Sequence, residues 1–157
     1  MKAARLLVID DDAAMREFLK NVLAPEGFRV SDASSGEDGI KQALALKPDL
    51  ILLDLRMPTT DGVAICKAIR GNEETKTLPI LVVTGTLSRE QIEETMSAGA
   101  DDFVSKPVDV RDLLIRVRAM LDCKEIADPV DRLQQYLKTV GEMTNAPPPP
   151  AQSGGKS

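Results

Sequence analysis

The sequence contains no histidine and no tryptophan, and its two cysteines, Cys66 and Cys123, stand far apart. Without histidine or a CxxC pair, neither a zinc centre nor a disulfide scaffold is expected. Cys66 shares helical spacing with Ile65 and Ile69 and reads as a small buried hydrophobe. Aromatic residues make up only 3% of the chain against 43% hydrophobic overall, so the core must be aliphatic. No apolar run approaches the roughly 20 residues of a membrane span. The N-terminus, Met1-Lys2-Ala3-Ala4-Arg5, leads directly into a strand pattern rather than a cleavable signal, so no membrane association and a cytoplasmic location are expected. Twenty basic against 25 acidic residues give a net charge of −5, which leaves no basic surface for direct nucleic-acid binding.

What is present is an alternation of short aliphatic runs and amphipathic stretches within 157 residues, enough for one ordinary domain. The central run is Leu50 to Leu53, four large apolar residues, short enough for a strand buried on both faces. It ends in Asp54. Met57-Pro58 stops it, and the turn Thr60-Asp61-Gly62 starts a helix from Val63 to Arg70. Before it come a strand from Arg5 to Asp10, a helix from Ala13 to Ala24 stopped by Pro25-Glu26-Gly27, a strand from Phe28 to Ala33, and a helix opened by the capping-box-like Ser35-Gly36-Glu37-Asp38 and ended by Pro48. After it come a strand Ile80 to Thr84, a helix opened by the capping box Ser88 to Gln91 and closed at Gly99, a short strand Asp102 to Ser105, and a helix capped by Asp109 that runs to Leu121. Five strands alternating with five helices predict an α/β fold with a doubly wound parallel sheet.

In such a sheet the carboxyl ends of the strands share one edge, where ligands bind. The polar residues at those ends are Asp10 and Asp11, Asp54, Thr84 and Lys106. Gathered carboxylates repel one another unless a cation holds them, and an all-oxygen donor set completed by water suits Mg²⁺. A hydroxyl and an ammonium beside the metal complete a pocket for a phosphoryl group, which a carboxylate can accept as an acyl phosphate. Asp12, directly before a helix, reads as its N-cap. Asp101 and Asp102 lie at the opposite end of their strand and read as solvent or interface charges.

The stretches LLVIDDD, DLILLDLRMPTTDG, PILVVTGT and GADDFVSKPVDVRDLLIRVRAML, together covering residues 5 to 121, resemble the receiver domain of two-component response regulators. The resemblance implies a flavodoxin-like, CheY-like sheet of strand order 2-1-3-4-5. It implies Asp54 as the phosphoacceptor, Asp11 as a direct metal ligand, Asp10 acting through metal-bound water, and the backbone carbonyl of Arg56 as the third protein ligand. Lys106 matches the lysine that pairs with the phosphoryl oxygens, and Lys106-Pro107 a peptide bond often cis in the family. Thr84 and Phe103 match the switch pair, here without the phenol oxygen of the tyrosine often found at the second position. Arg56 and Thr86 occupy positions that modulate access of water to the acyl phosphate.

The partners implied are a sensor histidine kinase or phosphotransfer protein and a downstream protein. Asp101, Asp102, Arg116 and Arg118 resemble part of the set through which receivers pair as homodimers, although Glu90, Glu93 and Glu94 make the adjoining helix acidic where the family is usually basic. Residues 1–122 are expected to form the receiver, 123–144 an additional helix with Asp128 as cap, Pro129 at its first position and Val130, Leu133, Leu137 and Val140 in an apolar stripe, and 145–157 a disordered Pro/Gly/Ser-rich tail. The stripe either packs back on the receiver or docks a partner. Two alternatives stand beside a self-standing receiver: the front end of a longer response regulator, and a phosphohydrolase of the haloacid-dehalogenase type with Asp10 as nucleophile and Asp12 as acid/base.

Overall fold

Four aliphatic residues in each of three strands decide the architecture. Leu6 to Ile9, Leu50 to Leu53 and Ile80 to Val83 are all at most 2% exposed, so each strand is covered on both faces. The computed structural model describes residues 3–57, 60–85 and 88–145. Pro58, Thr59 and Thr86, and the tail beyond Asn145, lie outside them. The strands are β1 (Arg5–Ile9), β2 (Arg29–Ala33), β3 (Leu50–Leu53), β4 (Ile80–Thr84) and β5 (Asp102–Ser105). They form one sheet in the order β2-β1-β3-β4-β5, parallel throughout, as expected.

The pleat separates two apolar layers. Leu6, Val8, Leu50, Leu52, Leu81 and Val83 face Leu19 and Leu23 of α1 (Ala13–Leu23) and Leu113, Val117 and Met120 of α5 (Val110–Cys123). The alternate residues Leu7, Ile9, Ile51, Leu53, Ile80 and Val82 face Ala43 of α2 (Gly36–Leu46) and Ile65, Cys66 and Ile69 of α3 (Gly62–Arg70). Burial of one such aliphatic side chain contributes about 1.5–3 kcal/mol. Cys66 is therefore core, and burial pushes its thiol up to about 11.

The helix starts follow their caps. Asp12, Asp61 and Asp109 each accept a backbone N–H of the first turn, and Ser88 with Gln91 forms a reciprocal box at the head of α4 (Arg89–Ser97). At Ser35 only half of the expected box forms: its hydroxyl accepts from Asp38 N at 3.2 Å, while the Asp38 carboxylate accepts from Gln42 Nε2 at 2.9 Å. α2 stops at Leu46 rather than at Pro48, because the residue before a proline is disfavoured in the helical region; Lys47 instead takes φ 48°. A short antiparallel ladder, Arg56–Met57 with Thr60–Asp61, was not anticipated and starts α3 at Gly62, one residue early. A Cβ on Gly62 would lie 2.6 Å from Leu55 Cα, so this close approach requires glycine.

The additional helix is α6 (Pro129–Asn145), and it packs back onto the domain. Tyr136, 5% exposed, is its anchor; Val140 and Met143 join the layer beneath, while Val130, Leu133 and Leu137 of the same stripe remain exposed. Part of the stripe thus packs back on the receiver and part stays exposed. No helix among the described residues is long and apolar enough to cross a membrane.

Candidate functional site

Strand register assembles the site. Ile9, Leu53 and Val82 stand opposite one another on β1, β3 and β4, and Thr84 stands opposite Ser105 on β5. Asp10 and Asp54 each follow their strand by one residue, Thr84 closes β4, and Lys106 follows β5. Residues separated by up to 96 positions therefore meet at one sheet edge.

At that edge one carboxylate oxygen from each of Asp10, Asp11 and Asp54 lies within 4.8 Å of the others. Asp54 is 5% exposed and Asp10 2%, whereas Asp11 is exposed. Lys106 Nζ stands 3.2 Å from Asp10 Oδ2 and 3.8 Å from Asp54 Oδ1. Asp54 Oδ1 also accepts from Arg56 N at 3.3 Å, and its own N–H is held by Ile9 O at 2.9 Å. Asp10 Oδ1 accepts from Asp12 N at 2.9 Å. Burial raises the Asp10 carboxyl above its ordinary range and the Asp54 charge adds to it, while the Asp12 N–H and the Lys106 ammonium oppose them.

Thr84 is fully buried, and among the described residues its Oγ1 has no hydrogen-bond partner. Such an orphan costs about 1–3 kcal/mol and calls for a functional explanation. The Lys106–Pro107 bond is cis, and Lys106 N donates to Thr84 O at 2.8 Å, tying the lysine to the threonine strand. Phe103 is half-buried and packs on the α2–α3 side of the sheet with Leu55 and Leu78. Three clustered oxygen donors, two of them beside Lys106 and the third, Asp11, open to solvent, fit a hard divalent cation. Asp12 does not join them: its carboxylate caps α1 by accepting from Ala14 N at 3.0 Å, as expected for an N-cap.

A family model of the response regulator receiver domain matches residues 6–118. The chain belongs to this family. Among curated relatives, the receiver is 39% identical over 117 residues to the DNA-binding dual master transcriptional regulator RpaA of Synechocystis sp., covering 74% of this chain and 48% of that protein. It is 35% identical over 143 residues to the response regulator MprA of Mycobacterium avium, covering 91% of this chain and 60% of that one. The chain thus spans about half the length of the curated relatives it matches. A solved CheY-like receiver domain protein of Methanospirillum hungatei superposes with a TM-score of 0.74 at 30% identity, over 79% of this chain and 98% of that one.

One expectation about the receiver surface is corrected. Asp101 and Asp102 are not free surface charges: Asp101 Oδ2 accepts from Arg70 Nη2 at 2.9 Å and from Ile80 N at 2.8 Å, and Asp102 Oδ2 accepts from both Arg116 and the Tyr136 hydroxyl. The expected pairing set is therefore engaged within the chain. Arg116 also bonds Asp112 at 3.0 Å, and Arg118 pairs with Glu26 and lies 5.6 Å from the Phe28 ring centroid. α6 contributes to this only at Asp102, through its one tyrosine, which reaches β5. Sequence reasoning also passed over Arg16, which bonds Asp10 O at 2.8 Å and Asp32 Oδ2 at 2.9 Å. Its position one turn into the helix behind the acidic loop was the available signal.

Proposed function

We propose that Asp54 accepts a phosphoryl group from the phosphohistidine of a sensor kinase or phosphotransfer protein, with Mg²⁺ held by Asp10, Asp11, Asp54 and the Arg56 carbonyl. The observation that supports this reading is the convergence of the buried Asp54, two further aspartates and the Lys106 ammonium beside an orphaned Thr84 hydroxyl. Magnesium, when bound, offsets the charge of the carboxylates and of the incoming phosphoryl oxygens. An Asp54 oxygen bonds to phosphorus as the phosphorus–nitrogen bond breaks, and the departing imidazole keeps the electron pair and takes up a proton. Lys106 moves its charge from the aspartates toward the phosphoryl oxygens. Thr84 supplies the hydroxyl that finds its partner only in the phosphorylated state.

Phe103 follows Asp102 directly on β5, and Asp102 holds α6 through Tyr136. A displacement of Phe103 is in this way passed to the appended helix, so the downstream output is a change in a protein-binding surface rather than direct nucleic-acid contact. In this reading 1–122 is the receiver and 123–144 the element it controls. The test is intact mass after incubation with Mg²⁺ and acetyl phosphate. One phosphoryl group is gained by the native chain and lost in Asp54→Asn and without metal; a chain that gains none, or gains it equally in Asp54→Asn, overturns the proposal.

A further inference from the structure

We propose that Arg16 is a positioning residue for the metal-binding loop, acting through the peptide bond between Asp10 and Asp11. The inference rests on the reading of the three aspartates as a magnesium site.

The Asp10 carbonyl oxygen lies in the same rigid plane as the Asp11 N–H and Cα. Fixing that oxygen fixes the direction in which Asp11 leaves the strand, and with it the place of the Asp11 carboxylate. Arg16 Nη1 donates to this oxygen at 2.8 Å. No regular ladder supplies the same constraint, because β1 ends at Ile9; Asp10 N still reaches Ala33 O at 3.1 Å, but its carbonyl has left the sheet. Asp11 is the exposed member of the triad and has no burial to orient it.

Arg16 is itself immobilised from the other side. Its Nε bonds Asp32 Oδ2 at 2.9 Å, the other Asp32 oxygen takes Lys20 Nζ at 2.9 Å, and the Asp32 carbonyl accepts from Gln42 Nε2 at 2.9 Å. The guanidinium is largely buried, and its fork spans two directions that an ammonium cannot. Burial alone would raise Asp32, but Lys20 and Arg16 outweigh it and hold the carboxyl below its ordinary range, which keeps it ionised as an anchor. The result is a relay from β2 through α1 to the loop, of the kind that orients metal ligands from behind.

The experiment is Mg²⁺ titration calorimetry on the full chain, with thermal melts recorded without metal. Arg16→Met is expected to weaken Mg²⁺ binding about 10-fold or more, the usual scale for loss of an outer partner of a ligand. Arg16→Lys recovers only part of that loss. Asp32→Asn weakens binding less, and combined with Arg16→Met it adds nothing, since both act on one relay. Val117→Ala, which trims a fully buried side chain of α5 outside the relay, lowers the melting temperature but leaves Mg²⁺ affinity unchanged, separating positioning from general stability. Arg16→Met binding Mg²⁺ within twofold of the native chain, or losing only melting temperature, overturns the inference. A native chain that binds no Mg²⁺ overturns the magnesium reading itself.

Discussion

Replacing Tyr136 by phenylalanine removes one hydroxyl and leaves the buried ring in place. That hydroxyl donates to Asp102 Oδ2, which also holds Arg116. A hydrogen bond to a charged group contributes about 1.5–3 kcal/mol. Asp102 retains its arginine, so the loss falls at the lower end, about 1.5 kcal/mol, or about 3–6 °C in melting temperature for a domain of this size. The same hydroxyl gives a second readout, because Tyr136 is the only tyrosine in the chain. Burial pushes its phenol well above the ordinary range and the Asp102 charge adds to the rise, with Arg116 opposing it. A pH titration followed by phenolate absorbance is therefore expected to show no ionisation near pH ~10 while the protein is folded.

The linkage has a definite sign. The folded pKa is raised, so the contribution is fully present below the unfolded value of about 10 and is lost above it, at about 1.4 kcal/mol per pH unit, as the unfolded chain ionises first. Tyr136→Phe removes this alkaline slope. A native Tyr136 that titrates near 10, or a phenylalanine variant with unchanged melting temperature, refutes the reasoning and with it the anchoring of α6.

Leu52→Ala, which empties a site between α1, α5 and the sheet, is expected to cost about 2–5 kcal/mol in urea denaturation. Gly62→Ala drives a Cβ to 2.5 Å from Leu55 Cδ2 and 2.6 Å from its Cα; it should cost about 1–3 kcal/mol and slow phosphorylation by acetyl phosphate, since Leu55 adjoins Asp54. Thr84→Val deletes an orphan hydroxyl and is expected to keep or raise the melting temperature of the unphosphorylated chain; phosphorylation is expected to change Tyr136 fluorescence in the native chain and not in this variant. Asp32, held low by Lys20 and Arg16, stabilises the fold above its unfolded pKa of about 4 and loses that contribution as pH falls through the lower folded value, so the acid limb of stability should flatten in Asp32→Asn.

The sheet and its edge were legible because each part has a local signature. Leu6 to Ile9, Leu50 to Leu53 and Ile80 to Val83 are uninterrupted aliphatic runs, and parallel pairing brings whatever follows them to one side. Asp10, Asp54, Thr84 and Lys106 needed no further information. The division of labour on α6 was not legible, since Leu133 and Leu137 carry the same periodicity as Val140; the difference is made by Tyr136, whose partner lies 34 residues away on β5. The partners of Asp101 and Asp102 were not legible for the same reason: a charge on a strand reveals its partner only once the elements are packed. Arg16 resembled any charged residue of a surface helix until the carbonyl in front of it was placed.

The placement of Asp10, Asp54 and Lys106 directly after their strands, and of Thr84 at the end of its own, has an engineering consequence. One residue inserted within β1, β3 or β4 would exchange the two apolar layers downstream and retract a carboxylate or the threonine from the site. The opposite rim of the sheet has no such sensitivity. Of the segments that enter β3 and β4 from that rim, 47–49 is engaged through the buried Pro48 and through Asp49, which holds Arg5 N and Lys124, whereas the exposed 71–74 is where an inserted tag or fluorophore is expected to leave the acidic edge undisturbed. Binding properties can there be exchanged while the chemistry stays as it is.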